Sequence, residues 1–257
     1  IALREPDFWR YFFWVEHFSR FADAGKPQHP EPFWFFVPVI LGGALPWTCT
    51  IPATIKGLRK STAIRKTFIR FALCWLVFPF LLFSASEGKL GTYILPCFPA
   101  LAAVLATGLK DYFGFGGRNR FSAGAALTAA GTAAAAIGLA VWQTGGLGEF
   151  RLYGEGETAK CILAVGVLLA WAVLAGLSAI AADWKRRLAL FCIAPMLFFA
   201  ASHILFSRWM ENEKAPERFL AANADMVRPD AVVVSDDYIG PAVCWFFKRS
   251  DILFVGE

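Results

Sequence analysis

Long apolar runs alternate along this chain with short polar connections, and the runs have the length of membrane-spanning helices. Six stand out: Phe33–Ile55, Phe68–Ser86, Leu90–Leu109, Phe121–Trp142, Cys161–Ala182 and Leu188–Phe206. A helix needs about 20 apolar residues to cross a ~30 Å hydrocarbon core, where backbone groups must be satisfied within the helix itself. The pattern therefore predicts an all-α polytopic membrane protein with six transmembrane helices over residues 33–206. Pro38, Pro46, Pro52, Pro79, Pro96, Pro99 and Pro195 fall inside these runs. They predict kinks, which a bundle tolerates because neighbouring helices re-satisfy the freed carbonyls. Gly124, Gly131 and Gly138, seven residues apart in an Ala-rich run, predict a small-residue face for close helix packing.

The flanks follow other periods. Over Pro6–Phe21 there is no internal Gly or Pro, and Phe8, Tyr11, Phe12, Trp14, Val15, Phe18 and Phe21 share one side of a helical wheel. Arg10, Glu16, His17 and Arg20 fall within an arc of about 120° on the other side. Residues 1–32 thus read as an extracytoplasmic amphipathic helix and loop lying at the headgroup boundary. After Ser207 the chain turns polar: Ala215–Met226 reads as helix, Ala231–Ser235 as a buried strand, Gly240–Phe247 as helix and Ile252–Val255 as a second strand. That is the opening of a small extracytoplasmic α/β domain over 207–257. With Ile1 in the place of a Met and no closing element after the second strand, the chain reads as a fragment and its last domain as truncated.

Composition narrows the class. Hydrophobic residues make up 57% against the usual ~45–50% and charged residues 18% against ~25%, and mean hydropathy is +0.51. Disordered, collagen-like and coiled-coil chains are excluded. The net charge of +5 is distributed along the connections. Lys56–Thr67, Lys110–Arg120 and Asp183–Arg187 hold eleven Lys and Arg, whereas the alternate connections carry only Lys89, Arg151 and Lys160. Lys and Arg are retained on the cytoplasmic side, so both ends of the chain are expected outside. Basic charge placed this way argues against a nucleic-acid partner. Of the six Cys, only Cys244 lies outside the spans, and there is no CxxC pattern, so neither a disulfide framework nor a Cys zinc site is indicated. Phosphate-loop, HExxH and GxSxG patterns are absent, and the three His are scattered.

Candidate chemistry gathers on the outer face. Glu16 and Arg20 are spaced to pair and His17 points the same way as Arg20; this is either a solvated face or an anion site in which Arg20 grips a phosphate and His17 donates or ligates a metal. The short connection Glu87-Gly88-Lys89 opens onto Leu-Gly-Thr-Tyr, which places the Lys89 ammonium and the Tyr93 hydroxyl on one helical face at headgroup depth. Such a pair could hold a lipid phosphate, or be a snorkelling Lys beside an aromatic-belt Tyr. Asp236 and Asp237 follow the first strand of the tail, where a turn or helix cap accounts for them as well as a ligand site does.

The residues carrying these features resemble a known family. Asp7-Phe8-Trp9-Arg10-Tyr11-Phe12-Phe13-Trp14-Val15-Glu16-His17-Phe18-x-Arg20-Phe21, Gln28-His29-x-x-Pro32-Phe33-Trp34-Phe35, Leu45-Pro46-Trp47 and Phe83-Ser84-x-x-x-Gly88-Lys89-Leu90-x-Thr92-Tyr93-Ile94-Leu95-Pro96-Cys97-Phe98 are similar to the middle part of bacterial 4-amino-4-deoxy-L-arabinose lipid A transferases. These are polyprenyl-phosphate-sugar-dependent glycosyltransferases related to protein O-mannosyltransferases. The motifs cover residues 7–110, with a match of topology beyond. The resemblance implies a GT-C-like helix bundle in the bacterial inner membrane, moving a sugar from undecaprenyl phosphate to a lipid A phosphate or another lipid or glycan acceptor. It implies Arg20, Lys89 and Tyr93 as contacts to the carrier phosphate, with Glu16 in the polar wall of that site and His17 as a ligand to a divalent metal such as Zn, Mg or Mn. Two departures bear on this. The family's catalytic acidic residues lie in an N-terminal half that this chain does not contain, so no catalytic residue is expected here. Gly91 stands where the family motif usually has Pro, which leaves the sugar open.

Two other classes fit a polytopic chain. A related transferase of the polyprenyl-phosphate-mannose type would use a protein or glycan acceptor. A non-enzymatic lipid transporter would be marked by ionisable residues at mid-span, and here Arg70 and His203 sit near span ends; a non-catalytic membrane scaffold would keep its function when Lys89 or Arg20 is substituted.

Overall fold

The computed structural model describes residues 7–10, 13–14, 31–62, 66–86, 88–145, 151–154, 156–210, 216–228, 231–236 and 239–255. They fall into two compact units, Ile1–Ala129 with Ala175–Phe191 and Ala130–Leu174 with Cys192–Glu257. A helical turn at Phe8–Arg10 and the helical residues Phe13 and Trp14 are the described parts of the expected N-terminal helix. The principal helices are α1 (Phe36–Gly43), α2 (Ile51–Lys60), α3 (Thr67–Ala85), α4 (Cys97–Gly114), α5 (Asn119–Gln143), α6 (Thr158–Ile180) and α7 (Trp184–Leu205). Among the described residues, α3, α5, α6 and α7 are long and apolar enough to cross a membrane. Their large side chains point outward: Phe78, Ile162, Ile180 and Phe199 are each more than two-thirds exposed, as lipid-facing residues are. The protein is a multi-pass membrane protein, as its hydropathy predicts.

The six kinked spans expected are four or five among the described residues. The first expected span is two helices, α1 and the segment Trp47–Lys60, bent by 92° at a short break, so the described residues give four spans, or five with this pair counted as one. The break follows the pair Gly42-Gly43 and contains Pro46, a residue with no N–H to continue the helix. The expected third span begins as a 3-10 turn, Gly91–Ile94, and becomes α4 only after Pro96. That helix runs on through Lys110 and Asp111 and is not among the four long and apolar enough to cross.

The first unit is held by close backbone approach. A methyl group built on Gly57 of α2 would lie 1.9 Å from the carbonyl oxygen of Gly108 on α4, and one on Gly124 of α5 would lie 2.2 Å from that of Cys49. The expected stripe on α5 therefore packs at Gly124; Gly131 and Gly138 face open space. Around these crossings the rings of Trp47, Phe113, Phe121 and Phe191 meet edge to face at 5.0–5.4 Å between centroids, an arrangement that favours the ring quadrupoles.

Arg187, expected among the cytoplasmic loop cations, is 1% exposed in the first turn of α7. Its Nε donates to the Ala181 carbonyl at 2.5 Å and one Nη to Ser122 Oγ at 2.7 Å. Ser122 in turn donates to Ala179, and Ser178 donates to the Arg187 carbonyl, both at 2.8 Å. This guanidinium staples the ends of three helices. Its planar fork reaches several acceptors from one place, which a Lys would not do.

In the second unit a buried carboxylate organises the connection before α6. Glu157, 3% exposed, accepts the backbone N–H of Gly154 at 3.2 Å and of Arg208 at 3.0 Å and pairs with Lys160 at 3.0 Å. Burial alone would raise its pKa, but the Lys160 ammonium and the two N–H groups outweigh burial and hold it below the ordinary 4.5. A depressed carboxylate contributes stability above the unfolded value and loses it as pH falls through the folded one. Glu157→Gln is therefore expected to cost about 2 kcal/mol at pH 7. Thermal unfolding of wild type and variant should converge as the pH drops below 4.5.

The tail is a small parallel βαβ unit. β1 (Val234–Asp236) pairs with β2 (Leu253–Val255), and α9 (Gly240–Phe247), which follows the short helix α8 (Glu217–Ala222), makes the crossover. Leu220, Val243 and Ile252 form its core. Asp236 accepts the Ile239 N–H at 2.9 Å, so it closes the turn into α9. Asp237 lies outside the described residues.

Candidate functional site

The connection between α3 and α4 turns tightly, and its lysine points inward. Lys89 is 5% exposed. Its ammonium donates to the Glu31 carbonyl at 2.8 Å and to the Ser86 carbonyl, which closes the turn onto itself. Ser86 is buried and its hydroxyl donates to the Gly88 carbonyl at 3.3 Å. Ser84, in the last turn of α3, has a buried hydroxyl with no partner among the described residues. An ammonium has three N–H donors, and the described residues accept two of them. Carbonyl dipoles orient the cation without cancelling its charge, and Lys89 has no carboxylate partner among the described residues. A buried cation of this kind attracts an anion.

Tyr93 lies on the Gly91–Ile94 turn and is 40% exposed, its ring 5.5 Å from that of Phe83. Lys89 and Tyr93 therefore share the turn but differ in setting, one enclosed and one open. They are not on one α-helical face as expected, because the backbone from Gly91 to Ile94 winds as a 3-10 helix. Beneath them Phe36, Ile94 and Cys97 form a fully buried core that fixes the turn to α1.

Glu16, His17 and Arg20 lie outside the described residues. No group of three or more His, Cys, Asp or Glu able to hold a metal occurs among the described residues. The residues that sequence reasoning missed are Glu31, Ser84 and Ser86. Glu31 and Ser86 serve Lys89 through backbone carbonyls, which carry no signature in the sequence.

A helix bundle of this kind has the architecture of a GT-C-like membrane protein. The fold matches solved structures of ArnT from Cupriavidus metallidurans, one bound to undecaprenyl phosphate and one apo, with a TM-score of 0.63 in each case and 18% identity. The match covers all of this chain and 45% or 44% of those chains. No protein-family model matches the chain. The sequence is homologous along its length to part of the undecaprenyl phosphate-alpha-4-amino-4-deoxy-L-arabinose arabinosyl transferases. It is 36% identical to that of Shewanella sediminis over the whole chain, 36% to that of Erwinia tasmaniensis over 98%, and 33% to that of Yersinia enterocolitica over the whole chain. The chain spans about 45% of the length of these relatives. The similarity thus extends well beyond residue 110, where the recognisable motifs end.

Proposed function

We propose that this chain forms part of a membrane glycosyltransferase that moves a sugar from a polyprenyl-phosphate carrier to an extracytoplasmic acceptor, with aminoarabinose as the sugar and a lipid A phosphate as the acceptor. The observation that carries this reading is the buried Lys89 ammonium, which has no carboxylate partner among the described residues. In such a transfer the acceptor oxygen attacks the anomeric carbon and the carrier phosphate leaves with the bonding electron pair. Negative charge builds on the leaving oxygen, and a cation already held in place stabilises it without reorganising. Lys89 supplies that cation, while Tyr93 and Arg20 hold the other phosphate oxygens and Glu16 forms the polar wall. Both chain ends lie on the periplasmic side, as the Lys and Arg bias of the connections supports. The names of the relatives support the sugar and the carrier.

The test is transfer of labelled sugar in membranes holding the protein as its gene encodes it. Carrier-linked aminoarabinose is expected to label lipid A, and Arg20→Ala is expected to lower the rate about 10²-fold at equal protein level. Labelling from carrier-linked mannose onto protein or glycan, with none from aminoarabinose, would replace this reading by the mannose-type one. Chelation followed by return of Zn or Mg asks separately whether His17 serves a metal.

A further inference from the structure

On the Lys- and Arg-rich side of the first unit the structure has a second charged feature, which the transfer reaction does not use. A cavity of about 410 Å³ lies between the end of α2 and the turn joining α4 to α5, lined by Lys56, Lys60, Arg118 and Arg120 and floored by Tyr112. Its volume falls in the ~300–1,000 Å³ range of small-molecule sites. We infer that this cavity is a binding site for a phosphate group, supplied by an anionic lipid headgroup or by a soluble phosphate.

The lining is built rather than incidental. Tyr112 is buried, and its hydroxyl accepts the Arg120 backbone N–H at 3.0 Å. Gly117 folds back onto Tyr112 so closely that an added methyl group would lie 2.5 Å from the Tyr112 ring and carbonyl. Gly116, at φ +70°, makes the bend, in a backbone region glycine enters at no steric cost. The turn is thereby held in one shape, and both arginines are tethered. Arg118 donates to the Ile180 carbonyl at 3.5 Å and Arg120 to the Pro52 carbonyl at 3.3 Å. Each guanidinium keeps further N–H groups, and its planar fork matches two phosphate oxygens.

The charge is uncompensated. None of the four cations has a carboxylate partner among the described residues, and the Lys56 and Lys60 ammonium groups make no hydrogen bond there. No carboxylate is among the residues lining the cavity. Lys60, Arg118 and Arg120 are exposed, so water screens their mutual repulsion, and an anion bound between them would relieve what remains. The 25-residue helix α5 starts at Asn119 on the cavity wall, which adds the positive end of its dipole. Basic pockets between membrane helices at the cytoplasmic headgroup level are where anionic headgroups are taken up.

The test compares three forms of the protein: wild type, Lys56→Gln with Lys60→Gln, and Lys185→Gln with Arg186→Gln. The last removes the same charge from another connection of the same side. Retention of phosphatidylglycerol is read by native mass spectrometry after extraction from phosphatidylcholine nanodiscs containing it. Inorganic phosphate is titrated in neutral detergent and read by thermal shift. Removing Lys56 and Lys60 is expected to weaken binding about 25-fold, at about fivefold per charge, and the Lys185 and Arg186 control by less than about twofold because distant surface charges are screened. Retention of the lipid alone identifies a headgroup as the source, and a response to phosphate as well identifies a soluble phosphate; either supports the site. Wild type that binds neither probe, or a control that weakens binding as much as the cavity variant, overturns it.

Discussion

Lys89→Ala is expected to lower sugar transfer by about 10²-fold, the loss seen when a preorganised donor is removed from a developing oxyanion. The expectation rests on the enclosure of the ammonium. A lysine on an open surface is screened and contributes little, whereas this one is held by two carbonyls at 5% exposure and meets no carboxylate among the described residues. Removing it also leaves the Glu31 and Ser86 carbonyls without their donor, at a cost of about 1–3 kcal/mol in local stability. The two effects separate by measurement. If Lys89 only clips the turn to Glu31, the variant melts earlier while carrier binding and transfer by the folded fraction are unchanged. If it serves the carrier phosphate, undecaprenyl phosphate binds more weakly and transfer falls at equal folded level. Lys89→Arg keeps the charge but places a larger planar group where a point donor fits two carbonyls, so partial transfer is expected. Undiminished transfer by Lys89→Ala would remove Lys89 from the site.

The second large effect is on folding. Gly57→Ala is expected to destabilise the first unit by about 3 kcal/mol, with a lower melting temperature and lower yield from membranes. At an ordinary helix position the same change stabilises by about 0.5–1 kcal/mol, so the sign is diagnostic. The reason is what the new methyl group meets: the Gly108 carbonyl oxygen at 1.9 Å and the Tyr112 nitrogen at 2.7 Å, both backbone atoms of α4. No side chain is available to rotate away, so α2 and α4 must separate. Gly131→Ala in α5, which faces open space, is the matched control and is expected to be neutral or mildly stabilising. Because α4 continues from the turn that carries Lys89 and Tyr93, moving it displaces the candidate site. Transfer by the Gly57 variant should fall further than its folded fraction accounts for.

Much of this could be read from local pattern. Gly240–Phe247 forms over the residues expected, because Pro241 opens a helix and Lys248, at φ 54°, ends it. The two strands form near their expected places, but the first starts three residues late at Val234 and, expected to be buried, buries only Ser235; the second starts one residue late at Leu253. The motif around Lys89 also pointed to the turn that proves to enclose a cation. Its partners were not legible, since an ammonium bonded to backbone carbonyls leaves no complementary residue in the sequence. Arg187 misleads in the same way: counted along the chain it is one of three loop cations, and in space it is 1% exposed.

By itself the sequence determined the membrane class, the alternation of basic and non-basic connections, and the small α/β tail. Those depend on hydropathy and on residues within a few positions of each other, where helix and strand periods apply directly. Only the tertiary structure decided where the first span breaks, which glycines of α5 are packed, and where Lys89 and Arg187 place their charges. Lys89 meets Glu31 across 58 residues and Arg187 meets Ser122 across 65. Whether a cation is buried or solvated depends on contacts as distant as these, and no local period encodes them.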